Sequence, residues 1–345
     1  MRRKYHKNAA NFALFFVFLR KKMNILVTGA NGQLGKELQR IVEENGNGFA
    51  DHTTADKNYY IFAGHDDLDI TKSQMVNDYI SKHYINVIVN CAAYTNVNEA
   101  ETDKGWNKAY RVNAVGPQNL SVAAKQNGCV LIHISTDFVF DGEKGQPYKP
   151  TDRTHSLSKY GKSKIAGEEF LEQIGGRYLV FRTSWLYSAL SKNNFVYKIY
   201  DKIVNSEERL NVVDDEVGCP TNARNLAEFI YHIIEDNNAW NRYLSKTGIY
   251  HFCDNNCTDR YLFARYIEQS IRQQGECADN SERICRSKSN KDSIRPRYSV
   301  LDTKMTTETF DWEMASGELS IENAVKEIIE KEKGKTNENN KKGIS

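Results

Sequence analysis

Apolar residues fall in short unbroken runs along the chain, and the stretches between them carry apolar positions three and four apart. The first run, "NILVTG" at 24–29, predicts a strand. "QLGKELQRIVEEN" at 33–45 predicts a helix, with Leu34, Leu38 and Ile41 on one face. The alternation continues with strands expected at 59–64, 86–93, 129–136 and 177–187, and helices at 73–84, 105–128 and 160–175. Continuous apolar strands alternating with helices predict a parallel sheet covered on both faces. The fold class is therefore α/β, a Rossmann-like doubly wound parallel sheet over residues 23–187.

Beyond Ser188 the rhythm fades. Helices are expected at 193–205 and 223–236, a strand and turn at 210–221 and a strand at 248–254. Residues 210–254 are expected to return to the sheet-bearing domain. Residues 188–209 and 255–330 are expected to form a smaller C-terminal substrate-binding lobe over the strand ends, where open α/β sheets bind ligands. The charged stretch 331–345 reads as a disordered tail.

The formal charge of +2 changes meaning once the N-terminus is set aside, because residues 1–22 hold seven basic residues and no acid. The remainder carries 40 basic against 45 acidic residues, a mildly acidic body with no sign of a nucleic-acid-binding face. "NFALFFVFL" at 11–19 is too short to span a bilayer and runs into Arg20-Lys21-Lys22, not a small-residue cleavage site. Residues 1–22 are read as a non-native or disordered leader before a start at Met23, and no membrane partner is expected. The seven cysteines include no Cys-x-x-Cys pair. They suit free thiols in a reducing cytoplasm, and no metal site is expected, since Cys253, Cys257 and His251 lack a second zinc-spaced ligand pair.

"VTGANGQLG" places Gly29, Gly32 and Gly35 between the first strand and the first helix. Glycines there let backbone approach a pyrophosphate, and the helix N-terminus offers free N–H groups, here at Gln33 and Leu34. The second strand ends in Ala63-Gly64-His65 without the acid that would hold the ribose hydroxyls of NAD. That tip leaves room for a 2′-phosphate, with His65 beside it. NADPH is the expected cofactor, with NADH usable.

"SLSKYGKSKIAGE" sets Tyr160 and Lys164 four apart, on one helical face. Alone, such a pair reads as a solvated surface. Together with the glycine turn, "NCAAYT" (90–95) and "ISTDFVFDG" (134–142), it resembles the extended short-chain dehydrogenase/reductase superfamily. "STDFVFDGEKGQPY", "RTSWLY", "NNF", "DDEVGCPT" and "RPRYSVLD" narrow the resemblance to its dTDP-4-dehydrorhamnose reductase family, from Met23 to about residue 330.

The resemblance implies reduction of a dTDP-4-keto-deoxysugar to dTDP-L-rhamnose, with Tyr160 as proton donor, Thr136 sharing the carbonyl oxygen and Lys164 holding the nicotinamide ribose. A nearby Lys164 ammonium is expected to lower the Tyr160 pKa. By the same resemblance Asp137 and Trp185 line the sugar site, Ala92, Ala93 and Tyr94 lie along the cofactor, and Asp69 and Ile70 lie near its adenine. Arg295 suits a nucleotide phosphate. Asn113 reads equally as a sheet-holding residue or a substrate contact, Arg295 equally as a surface residue, and Trp185, taken alone, more readily as core. Mg²⁺ dependence and a homodimer stay open. The chain departs from the family at Asn98, where Asp is usual, and fits it loosely over 255–294. Two other readings remain. One is a nucleotide-sugar epimerase or dehydratase, against which Phe138 stands where an elimination acid belongs. The other is a non-catalytic cofactor-binding subunit resembling the regulatory one of methionine adenosyltransferase. Fold does not separate these; the site must.

Overall fold

The computed structural model describes residues 22–46, 57–236, 239–276 and 283–342. The expected leader, apart from its last residue, lies outside the described residues, as do Cys277 and the last three positions of the tail.

Six parallel strands form the central sheet: β1 (Asn24–Thr28), β2 (Tyr59–Ala63), β3 (Val87–Asn90), β4 (Val130–Thr136), β5 (Arg177–Thr183) and β6 (Gly248–His251). Their order is β2-β1-β3-β4-β5-β6. The strands read as unbroken apolar runs because successive side chains enter two different cores. Ile25, Val27, Val87, Val89, Ile132 and Phe181 face one side, against the Gln33–Glu44 and Ala223–Glu235 helices. Leu26, Ile88, Leu131 and Val180 face the other, against the Ser73–Lys82 and Gly116–Asn127 helices. The sheet order reverses between β1 and β3, so a crevice opens at the carboxyl ends of those strands.

Several expected elements differ in detail. The strand expected at 177–187 is broken at Ser184-Trp185, where Trp185 adopts φ +47° and turns the chain out of the sheet. Leu186–Tyr187 then pairs with Thr221–Asn222. Leu210–Val213 does not join the main sheet as expected of 210–254; it pairs in parallel with Ile284–Ser287. Its apolar side chains pack into a second core with the Phe195–Asn205 and Arg260–Gln273 helices around Phe263. The expected disordered tail is helical as far as Lys342, as a continuation of the Gly317–Lys342 helix. Burial of Ile328 and Ile329 anchors that helix, and the Glu327–Lys331 and Glu332–Lys335 pairs carry it onward. Composition alone misses this, because a charged stretch propagates a helix already nucleated by packing.

Candidate active site

Gly29, at the end of β1, has φ +67°, a conformation that favours glycine. A Cβ there would also lie 2.5 Å from the Ala92 nitrogen. This close passage is where Ala92 acts, behind the turn. Gly32 caps the Gln33–Glu44 helix without a side-chain hydrogen bond, and no acid occupies its first turn. Its free N–H end opens, with Asn31, Gln33 and Leu34, onto a cavity of about 960 Å³ that runs across the strand ends to the second core.

The opposite wall is built by β4 and the Lys159–Ile174 helix. Ser158 caps that helix by accepting from the Gly161 N–H at 3.0 Å. A Cβ at Gly161 would lie 2.1 Å from the Phe138 carbonyl oxygen. Only a bare backbone lets the helix press this closely on the turn after β4, and that contact sets the phenol of Tyr160 on the same cavity wall as Thr136. Thr136 also donates to Asp137 at 3.0 Å. Phe138 packs edge-on against the Tyr160 ring, with centroids 5.6 Å apart. Ser135 and Thr183 line the same cavity with buried hydroxyls that have no partner in the protein.

Lys164, one turn further along and fully buried, donates to the Ile134 carbonyl at 2.7 Å and lies 3.3 Å from His133 Nε2. Burial lowers its pKa to about 8, against an opposing pull from Glu168. Burial drives Tyr160 the other way, up to about 12, with the Thr136 hydrogen bond lowering it and the Asp137 charge raising it. The expected activation of Tyr160 by Lys164 is therefore corrected: the ammonium is engaged by the strand carbonyl, and desolvation outweighs the hydrogen bond. Asp137, buried and bonded to Ser299 at 2.6 Å, is pushed up to about 6 by burial.

Trp185 and Arg295 also line the cavity. Trp185 faces it from the strained turn and carries the Arg260 guanidinium 3.5 Å from a ring centroid. Arg260, 13% exposed, pairs with Glu216 at 3.7 Å, and Lys198 and Lys202 line the wall nearby. Arg260 was not legible in the sequence, since it lies in the stretch of loose family fit and its stacking partner is 75 positions away. Asn31 was missed as well; a Cβ at Gly64 would come within 2.6 Å of its amide nitrogen.

Ala93 lines the cavity as well, and the remaining expected residues lie outside its lining. Gly35 lets the first helix turn cross Gly29, where a Cβ would be 2.5 Å from the Gly29 oxygen. His65 is exposed beyond β2. Asp69 bonds Thr71 at 2.7 Å, and the Ile70 carbonyl accepts from Asn119 at 2.9 Å. Asn113, in a π-helical turn, grips the Tyr94 backbone by both its N–H (2.8 Å) and its carbonyl (2.9 Å), which makes it a holder of the loop after β3. Among the described residues no group of three or more His, Cys, Asp or Glu side chains could hold a metal ion. No helix among them is long and apolar enough to cross a membrane.

Fold and cavity together define a Rossmann-like protein of the reductase class. Residues 23–331 match the RmlD substrate binding domain family, and the chain belongs to it. It is 37% identical over 252 residues to the dTDP-4-dehydrorhamnose reductase of Aggregatibacter actinomycetemcomitans, covering 72% of this chain and 80% of that one. It is 32% identical over 309 residues to that of Salmonella typhimurium, covering 89% and 98%. The crystal structure of the Bacillus anthracis dTDP-4-dehydrorhamnose reductase in complex with NADP superposes with a TM-score of 0.74 at 29% identity, covering 88% of this chain and 98% of that one.

Proposed function

We propose that the protein is an NADPH-dependent reductase of a dTDP-4-keto-6-deoxysugar, giving dTDP-L-rhamnose. The observation that carries the reading is the gathering of Thr136, Tyr160 and Lys164 on one wall of a cavity whose far end is basic. The residues fit a dinucleotide: the helix end at Gly32, with no side-chain cap, and the unpartnered Ser135 and Thr183 hydroxyls border the same space. When bound, the nicotinamide supplies the hydride.

Tyr160, protonated at neutral pH, donates its phenolic proton to the sugar carbonyl oxygen as that oxygen gains charge. Thr136, on the same wall as Tyr160, would share the oxygen by turning its hydroxyl proton from Asp137 toward the sugar. Lys164 would hold the nicotinamide ribose of the cofactor with its ammonium. Gln33 and Leu34 offer backbone N–H groups to the pyrophosphate. Arg260, Arg295, Lys198 and Lys202 line the cavity and would face the diphosphate of the sugar nucleotide, while Trp185 and Asp137 would line the sugar.

Phe138 occupies the position after Asp137, where the Thr-Asp-Glu pattern of a dehydratase would carry its second acid, and is packed on Tyr160. The test is NADPH oxidation with and without the 4-keto sugar. Oxidation strictly dependent on the sugar supports the reading; cofactor binding without turnover supports a non-catalytic subunit instead. Parallel assays with NADH and with added Mg²⁺ resolve cofactor preference and metal dependence. Sedimentation resolves whether two copies associate.

A further inference from the structure

Cys219 and Cys257 are 38 residues apart in sequence, yet their sulfurs lie 3.4 Å from each other. The short antiparallel ladder that brings them together pairs Val217 with Asp259 and Gly218 with Thr258. Continuing that register by one step sets Cys219 directly opposite Cys257. Directly opposed antiparallel residues have Cβ atoms about 4.5–5.5 Å apart, close to the reach of a disulfide. Cys257 is exposed and Cys219 is buried, so one sulfur meets solvent while the other waits behind it. Cys253 is buried beside Cys219 in the same small core.

We propose that Cys219 and Cys257 are a redox modification site that closes to a reversible disulfide. With a peroxide as oxidant, the Cys257 sulfur attacks a peroxide oxygen, the O–O bond breaks, and a sulfenic acid and one water form. The Cys219 sulfur then attacks Cys257, the S–O bond breaks, and the hydroxyl leaves as a second water with the Cys219 proton. Two electrons pass from the two thiols to the peroxide. A dithiol reverses the bond by exchange. Contact with Cys219 and burial push the Cys257 thiol up, and contact with Cys253 together with burial pushes Cys219 up, so the first step is slow and an excess of oxidant is needed.

The site lies behind the cavity wall. Cys219 accepts the Ser184 hydroxyl on its carbonyl, and a Cβ on the preceding Gly218 would come within 2.6 Å of the Trp185 ring. The inference rests on the cysteine geometry alone and is independent of the proposed reaction.

The test treats the full chain with excess hydrogen peroxide, alkylates the remaining thiols and maps the peptides by mass spectrometry. The expected result is a Cys219–Cys257 cross-linked peptide lighter by two hydrogens, with two thiols lost and then restored by dithiothreitol. Cys257→Ser should abolish the cross-link, and Cys285→Ser should leave it intact. Finding all thiols alkylatable, Cys257 stopped as a sulfinic acid, or Cys219 linked to Cys253 would overturn the proposal.

Discussion

Lys164 donates to the main-chain carbonyl of Ile134 at 2.7 Å, one helical turn beyond the phenol of Tyr160. That bond fixes the ammonium at the floor of the cavity, where burial brings its pKa down to about 8. Tyr160 is pushed up to about 12 by burial. The sign of the pH dependence follows from these two groups. The phenol keeps its proton throughout the neutral and mildly alkaline range, while the ammonium is present below about pH 8 and lost above it. Turnover with NADPH and the keto sugar should therefore decline as pH rises through about 8, with no further loss from Tyr160 below pH 10. A flat rate profile up to pH 10 would remove Lys164 from the reaction.

Arg260 stacked on Trp185 predicts where sugar-nucleotide affinity resides. Arg260→Ala should raise the KM for the sugar nucleotide roughly ten- to hundredfold, the worth of a charged hydrogen bond lost from a desolvated site. Arg260→Lys should recover little, because an ammonium neither stacks on an indole nor grips a phosphate with two parallel bonds. The dissociation constant for NADPH should not move in either variant. An equal loss of cofactor affinity would place Arg260 in a merely structural role.

Glu168, on the same helix as Tyr160, forms a buried pair with Arg182 of β5, with contacts of 2.6, 3.0 and 3.2 Å. Removing one partner strands the other in an apolar interior. Glu168→Ala should cost about 3–5 kcal/mol of unfolding free energy, read by urea denaturation. A loss under about 1 kcal/mol would mean that water reaches Arg182.

Cofactor preference can be read from the tip of β2. Wild-type protein should use NADPH better than NADH, and His65→Ala should narrow that preference without affecting NADH. Gly64→Asp is the less clean variant, because its Cβ would also displace Asn31. Equal use of both cofactors by wild type, or no change in His65→Ala, would exclude His65 from 2′-phosphate recognition.

The sheet was legible because each strand buries both faces, and that leaves an unbroken apolar run such as "NILVT" or "VIVN". The glycine turn was legible because its backbone can be made by little else: Gly29 is both left-handed and in contact with Ala92. Thr136, Tyr160 and Lys164 were singled out by the resemblance of their motifs, not by spacing alone, and the structure brings the three onto one wall of the cavity. What hydropathy did not carry was pairing at long range. Leu210–Val213 looks like a strand from its residues, but its partner, Ile284–Ser287, is far along the chain. The same holds for Arg260 on Trp185, and for the break at Ser184-Trp185 inside an otherwise continuous apolar run. The protonation of Tyr160 could not be read at all from spacing. Four residues place a lysine on the same face, but only the structure shows that its ammonium is taken by the Ile134 carbonyl.

Tyr160 as the proton donor is the central claim, and Tyr160→Phe tests it most directly. The ring and its edge contact with Phe138 are kept, and only the acidic proton is lost. Single-turnover reduction of the keto sugar, followed by NADPH absorbance, should slow by roughly 10²–10⁴-fold, while NADPH binds as tightly as to wild type. A variant that keeps more than about a tenth of the wild-type single-turnover rate would contradict the account, because Tyr160 could not then be the acid of the chemical step.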